Sequence, residues 1–226
     1  AVKQPVAVAL GTFDGMHRGH QKLISQLHKL KLNYGYKTMV YTFLEHPLSL
    51  LNPAKTPSQI MTIYEKILYC NKVGIDWLIL NRFDEDFAST SAKSFVEELL
   101  LNRYDIKAVV VGYNFKFGFK GKGDIDFLRQ MSKKHSFKLI VVPPVSINGN
   151  IVSSSIIREA IMNGQIKEAN DYLGSPYSIS GKIICGYGRG KKLGFPTANL
   201  QFNSKKVIPK YGVYMTQVYI DNKIYY

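Results

Sequence analysis

Five short apolar runs alternate with amphipathic stretches along the first two-thirds of the chain, and that alternation constrains the fold more than any other feature. The runs are Val6 to Leu10, Lys37 to Phe43, Ile75 to Leu80, Lys107 to Gly112 and Lys138 to Val142. Each is short, continuous and rich in β-branched residues, as strands buried on both faces are. Between them the period changes to that of a helix. Leu23, Ile24, Leu27 and Leu30 share one helical face, as do Phe95, Val96, Leu99 and Leu100 within Ser91 to Arg103. Further helices are expected over Ser58 to Val73, ending at Gly74, over Asp124 to His135 and over Ile166 to Leu173. Strands alternating with helices in this way imply a parallel sheet with right-handed crossovers, hence an α/β fold whose ligands sit at the carboxyl ends of the strands.

Beyond Gly174 the texture changes. Gly, Pro, Tyr and β-branched residues dominate ISGKIICGYGRGKKLGFPTANL and VIPKYGVYMTQVYIDNKIYY, no helical period is visible, and short antiparallel strands are expected, with a hairpin around Asp221 and Asn222. Two domains follow from this reading, residues 1–173 and 174–226. The second has only enough residues for two or three strands, so it reads as the incomplete first part of a β-unit.

Charge narrows the class of partner. Thirty Lys and Arg against 16 Asp and Glu give a net charge of +14, which suits polyanions such as nucleotides, nucleic acid or acidic lipid. Residues 177–226 alone hold eight basic side chains and one acidic one. An RNA-binding protein would need a basic stripe interleaved with exposed aromatics, whereas these lysines are scattered, so neither a nucleic-acid nor a membrane partner is expected. Cys70 and Cys185 lie far apart without ligand spacing, and no run approaches the length of a membrane span. The expectation is a soluble, cytoplasmic protein of unknown oligomeric state.

Three motifs follow strands: GTFDGMHRGH (Gly11 to His20), VGYNFKFGFKGKGD (Val111 to Asp124) and SSSIIR (Ser153 to Arg158). In the first, Gly11 lets a ligand approach the backbone, and a helix starting near Arg18 offers free N–H groups and the positive end of its dipole. His17 and His20, three apart, lie on one side of the first turn. Together they make an anion site with two imidazole donors, suited to a polyphosphate whose charge grows on the leaving pyrophosphate when the α-phosphorus is attacked. Asp14, His17 and His20 could instead ligate zinc, but a hydrolytic zinc site usually has histidines four apart with a glutamate between them.

The G-x-F-D-x-x-H-x-G-H pattern resembles the first signature of the nucleotidylyltransferase superfamily of Rossmann-like α/β folds, and SSSIIR resembles its second. TFLEHP (Thr42 to Pro47) and VGYNFKFG (Val111 to Gly118) are similar to elements of the bacterial FAD synthetase branch. GRGKKLGFPTANL (Gly188 to Leu200) resembles the glycine loop and P-T-A-N signature of riboflavin kinase, whose fold is an antiparallel β-barrel. The order matches the bifunctional bacterial riboflavin kinase/FAD synthetase family. Relatives that adenylylate phosphopantetheine or nicotinamide mononucleotide, or that make CDP-alcohols, lack P-T-A-N.

The resemblance implies an FMN adenylyltransferase that converts FMN and MgATP to FAD and pyrophosphate, with riboflavin phosphorylation to FMN in the full-length protein. It implies that His17, His20 and Arg158 act in catalysis, and that Gly11, Phe13, Asp14, Asn114, Ser154 and Ser155 join them in binding ATP. Asn114 would also hold Mg2+. Phe115 and Phe117 either stack on the isoalloxazine or pack in the core, and Lys116, Lys120 and Lys122 either attract the FMN phosphate or form a solvated loop. In the second unit Gly188, Gly190 and Gly194 would cover the kinase ATP, with Thr197 and Asn199 at its Mg2+. The family's general-base glutamate would lie further downstream.

Overall fold

A computed structural model describes residues 4–195, 197–220 and 223–225. Strands β1 (Pro5–Leu10), β2 (Lys37–Phe43), β3 (Trp77–Asn81), β4 (Asp105–Gly112) and β5 (Lys138–Val142) form one sheet in the order β3-β2-β1-β4-β5, with every pairing parallel. The chain runs outward from β1 to β3 on one side, then returns to the other side of β1 for β4 and β5. The reversal opens a crevice beyond the carboxyl ends of β1 and β4, where such sheets bind ligands.

Alternation along the strands divides the core into two layers. Val6, Val8, Leu10, Met39, Tyr41, Val109 and Val111 face one side and pack with Phe95, Leu100, Leu128 and Met131. The smaller Ala7, Ala9 and Ala108, with Val40 and Val110, face the other. Those alanines let helix α1 (Arg18–Tyr34) settle close to the sheet, with Leu23, Ile24, Leu27 and Leu30 all buried as their spacing requires. Leu27 is fully buried; its truncation to Ala is worth roughly 2–5 kcal/mol. Helix α1 ends where Gly35 adopts the left-handed region at φ 69° and donates its N–H to the Lys31 carbonyl.

Helix α2 (Ile63–Lys72) is shorter than the expected Ser58 to Val73. Thr62 caps it, accepting from Glu65 N–H while the Glu65 carboxylate accepts from Thr62 N–H, a reciprocal T-x-x-E start. Residues 58–61 stay outside the helix, where other segments use their backbone groups. The Ser91 to Arg103 segment also departs from a regular α-helix. One turn, Ala92–Ser94, widens into a π-type winding over Phe95–Leu101, where Asn102 N–H reaches the Glu97 carbonyl. Five residues per hydrogen bond place Phe95 and Leu100 on the same buried face.

Helix α3 (Ile125–His135) begins at an Asp124 cap. After β5, a small antiparallel pair, β6 (Ser146–Ile147) and β7 (Asn150–Ile151), leads into helices α4 (Ser154–Met162) and α5 (Ile166–Leu173). These pack on each other through Ile157, Ile161, Ala169 and Tyr172, and Ile60 and Val207 join that cluster.

The last fifty residues hold antiparallel pairs β8 (Gly181–Ile184) with β9 (Asn199–Phe202) and β10 (Val218–Ile220) with β11 (Lys223–Tyr225). A short helix, Arg189–Lys192, interrupts what the sequence suggests is all strand. The hairpin residues Asp221 and Asn222 lie outside the described residues, although the strands flanking them pair.

Candidate active site

The crevice beyond β1 and β4 holds a cavity of about 460 Å3. Its lining brings together Gly11, His17, His20, Asn114, Phe115, Phe117 and Ser154, which lie in three separate motifs of the sequence. Gly11 continues β1, the 113–117 loop continues β4, and Ser154 opens α4.

The loop from β1 into α1 is wound through left-handed conformations at Phe13 (φ 49°), Gly15 (φ 84°) and Met16 (φ 44°). Non-glycine residues hold such angles only when their surroundings fix them. Here the fixing groups are visible. Gly11 N–H donates to the Tyr41 carbonyl, and the Thr12 carbonyl accepts from the Lys66 ammonium at 2.9 Å and the Thr42 hydroxyl at 2.8 Å. A side chain at Gly15 would strike Ile60. Lys66, only 5% exposed, lies on the buried face of α2, and burial lowers its pKa.

His17 caps α1. Its Nδ1 accepts from His20 N–H at 3.4 Å, so the ring proton of neutral His17 sits on Nε2, which is left as a donor. The two imidazoles stack with centroids 3.7 Å apart. A Cβ at residue 19 would lie 3.0 Å from His17 Cε1, so Gly19 makes room for the ring. Burial pushes His17 down to about 4 and His20 well below the ordinary range, the latter helped by His17 and Lys66. Both rings are therefore neutral at pH 7. His20 Nδ1 is buried without a hydrogen-bond partner among the described residues.

The four other nucleotide-site candidates of the first domain lie outside the cavity lining. Phe13 is fully buried, its ring 4.9 Å from that of His20; it acts as packing beneath the imidazoles. Asp14 accepts from Ile60 and Met61 N–H, each at 3.0 Å, and pairs with the Arg158 guanidinium at 2.8 Å. Arg158 also donates to the Ser58 carbonyl at 2.7 Å. The Ser154 hydroxyl donates to the Asp14 carbonyl, whereas Ser155 is exposed on the first turn of α4. Asp14 thus spends its carboxylate on the 58–61 backbone and on Arg158.

One wall of the cavity is aromatic. Phe43, Phe83 and Phe87 contact one another at 5.3–5.5 Å between centroids, Phe95 continues the series, and Phe115 stacks nearly parallel to Phe117. Phe117 is buried in the core, while both it and Phe115 line the cavity. Phe83 and Phe87 belong to no motif and escape sequence reasoning, and Phe95, legible as a core residue, gives no sign in the sequence that it also lines the cavity. Lys66 was legible in principle, as a lysine in the Ile63 and Cys70 stripe of α2. Lys116 lines the cavity and pairs with Asp124, while Lys120 lies over the Phe119 ring.

In the second unit Gly190 packs against the Phe195 carbonyl and Thr197, and Gly186 packs against Asn199, so close that a Cβ on either would clash. The glycine segment is thereby laid directly on Thr197 and Asn199. Gly188 and Gly194, at φ 68° and 82°, stand in open space.

Comparison with known proteins matches the chain to two families. Residues 1–156 match the FAD synthetase family and residues 173–226 the riboflavin kinase family. A bifunctional riboflavin kinase/FMN adenylyltransferase of Buchnera aphidicola subsp. Schizaphis graminum is 37% identical over 214 residues, covering 94% of this chain and 68% of the relative. The chain belongs to the bifunctional riboflavin kinase/FMN adenylyltransferase family. The Escherichia coli K12 member is 32% identical and is covered over 69% of its length, with 96% of this chain aligned. A crystal structure described as a macrolide-efflux protein from Streptococcus pneumoniae superposes with a TM-score of 0.89 at 32% identity, over all of this chain and 73% of that one. Among the described residues, no helix is long and apolar enough to cross a membrane.

Proposed function

We propose that the first domain transfers AMP from ATP to FMN, giving FAD and pyrophosphate, and that the second contributes to phosphorylation of riboflavin to FMN. The observation that carries this reading is the cavity itself. It sets two neutral, stacked imidazoles at a helix start beside a wall of phenylalanines, at the point where the strand order reverses. Nucleotide phosphates fit the first feature and a planar tricycle such as isoalloxazine fits the second.

In the proposed reaction an oxygen of the FMN phosphate attacks the α-phosphorus of ATP. The new P–O bond forms as the bond to the bridging α–β oxygen breaks, and pyrophosphate departs. The attacking oxygen is already ionised, so no general base is required. His17 Nε2–H donates to phosphate oxygen, and neutral histidines do so without an added desolvated charge. Stabilising charge as it develops is the main work of such a site. Arg158, fixed by Asp14 and Ser58, supplies the positive field behind it.

The oxygen donors present also fit Mg2+. Asn114 in the first domain, and Thr197 and Asn199 beside the glycine loop, would each give a substrate-carried ion the one or two protein oxygens it needs. When bound, the ion would neutralise phosphate charge. The division is proposed at 173/174, where Gly174 ends α5 at φ 75°, and the site of action as the cytoplasm.

Incubation with FMN, ATP and Mg2+ should yield FAD and pyrophosphate by chromatography. His20→Ala should lower kcat by about 10², the scale of losing one transition-state donor. Adenylylation of another phosphate ester in place of FMN would overturn the flavin assignment.

A further inference from the structure

We infer that Lys206, from the part of the chain similar to riboflavin kinase, is a positioning residue for the adenylyltransfer site, acting through the 58–61 backbone on Asp14 and Arg158. The inference rests on the function proposed above.

The 58–61 strip is held from both sides. On one side, Ile60 and Met61 donate their N–H groups to Asp14, and Ser58 gives its carbonyl to Arg158. On the other side lies a segment about 145 residues later. Gln59 N–H donates to the Lys205 carbonyl at 2.7 Å, and Val207 N–H donates to the Gln59 carbonyl at 2.9 Å. Between these bonds the Lys206 ammonium donates to the Ile60 carbonyl at 3.1 Å and pairs with Glu65 at 2.6 Å.

The Lys206 side chain is 1% exposed and that of Glu65 11%. This is an interior pair, and Lys206 shares its burial with Lys66. The Glu65 carboxylate also accepts from Thr62 N–H and from the Ser180 hydroxyl, so it ties the start of α2 to the second unit as well. The Tyr177 ring lies 5.2 Å from the ammonium, and its hydroxyl donates to the Val207 carbonyl.

The geometry leaves Arg158 little choice of place. Among the described residues its hydrogen-bond partners are the Ser58 carbonyl and the Asp14 carboxylate. The first is part of the strip, and the second is bonded to it. Ile60 also packs beneath Gly15 of the histidine loop. Removal of Lys206 frees the Ile60 carbonyl and takes from Glu65 its cationic partner, which loosens the strip from its present register. The guanidinium then loses the two acceptors that aim it. A tether joining two domains would have no reason to bury its charge under the backbone that supports Arg158.

The experiment measures ATP affinity by calorimetry, kcat and KM for FAD formation, and the melting temperature, in Lys206→Met, Lys206→Arg and the same changes combined with Arg158→Ala. Lys206→Met should raise Kd and KM for ATP about tenfold, within the usual range for coupled neighbours, and Lys206→Arg should recover most of it. In the Arg158→Ala background, Lys206→Met should add less than twofold. If Lys206→Met does not fold, Glu65→Gln with Lys206→Met, which leaves no lone buried charge, carries the same comparison. An unchanged ATP affinity with a lowered melting temperature would overturn the inference and make the contact a tether only. So would a full tenfold loss persisting without Arg158. Absence of FAD from the wild-type chain would refute the proposed function separately, since the ATP affinities are compared without turnover.

Discussion

Asp14→Ala removes one carboxylate from three donors at once, and the size of the effect can be worked from the contacts. Two backbone N–H groups, of Ile60 and Met61, lose their acceptor, and Arg158 loses its ion-pair partner at sites where both side chains are 11% exposed. Stranding one member of a buried pair costs about 3–5 kcal/mol. Arg158 keeps the Ser58 carbonyl, which puts that share at the lower end, while the freed amides add about 1 kcal/mol or more. The expected loss is about 4 kcal/mol. For a chain of this size that lowers Tm by about 8–16 °C. Urea unfolding followed by tryptophan fluorescence is the assay. The single tryptophan, Trp77, lies in β3, remote in the sheet order from the changed loop. Asp14→Leu with Arg158→Met should be less damaging than Asp14→Ala, because no charge is left alone. A loss under about 1 kcal/mol for Asp14→Ala, or a double variant worse than the sum of its singles, would refute the role given to this pair.

Acid should weaken the fold through His17. Its folded pKa, about 4, lies below the unfolded 6.5, so the unfolded chain binds the extra proton and stability falls as pH drops from 6.5 towards 4. The shift is worth about 3 kcal/mol, His20 acts in the same direction, and urea midpoints of His17→Gln should show a shallower decline. Lys66→Met should loosen the Thr12 carbonyl that Lys66 and Thr42 hold together, and lower kcat more than FMN affinity in steady-state assays. Gly118→Ala places a Cβ 2.6 Å from Ala92 N at φ 70°; it should cost about 1–3 kcal/mol and raise KM for FMN as the 113–121 loop shifts.

Legibility followed the range of the forces involved. Strand and helix periods are local, so β2, β5, the start of α1 and all of α5 fall where the pattern puts them. Phe95 and Leu100 were read as core residues correctly, but their winding was not, because a π-type turn keeps the same residues buried. The start of α2 was missed for a different reason. The residues before Thr62 fall outside the helix because partners far along the chain take their backbone groups: Asp14 and Lys206 lie 46 and 146 positions from Ile60. The site divides in the same way. The histidine pair and its glycines stand out by spacing, whereas the bonds of Asp14 to the Ile60 and Met61 amides and to Arg158 have no local signature. The aromatic wall came from Phe83, Phe87 and Phe95, which only the sheet topology brings to one place.

Among the five strands of the sheet, the one that comes first in this sequence stands in the middle. Its second neighbour, β4, is about 100 residues away, with Pro5 opposite Asp105. At roughly 5–20 residues per second on the ribosome, Val6 to Leu10 wait on the order of 5–20 seconds with an apolar edge uncovered. The brace under Arg158 comes later still, since Lys206 follows Arg158 by 48 positions. A nascent chain therefore carries a nearly whole sheet and an unaimed arginine at the same moment. Protection of that edge matters most before residue 112 is released, and the bonds from Lys205, Lys206 and Val207 to the 59–60 backbone form only after residue 207 has emerged.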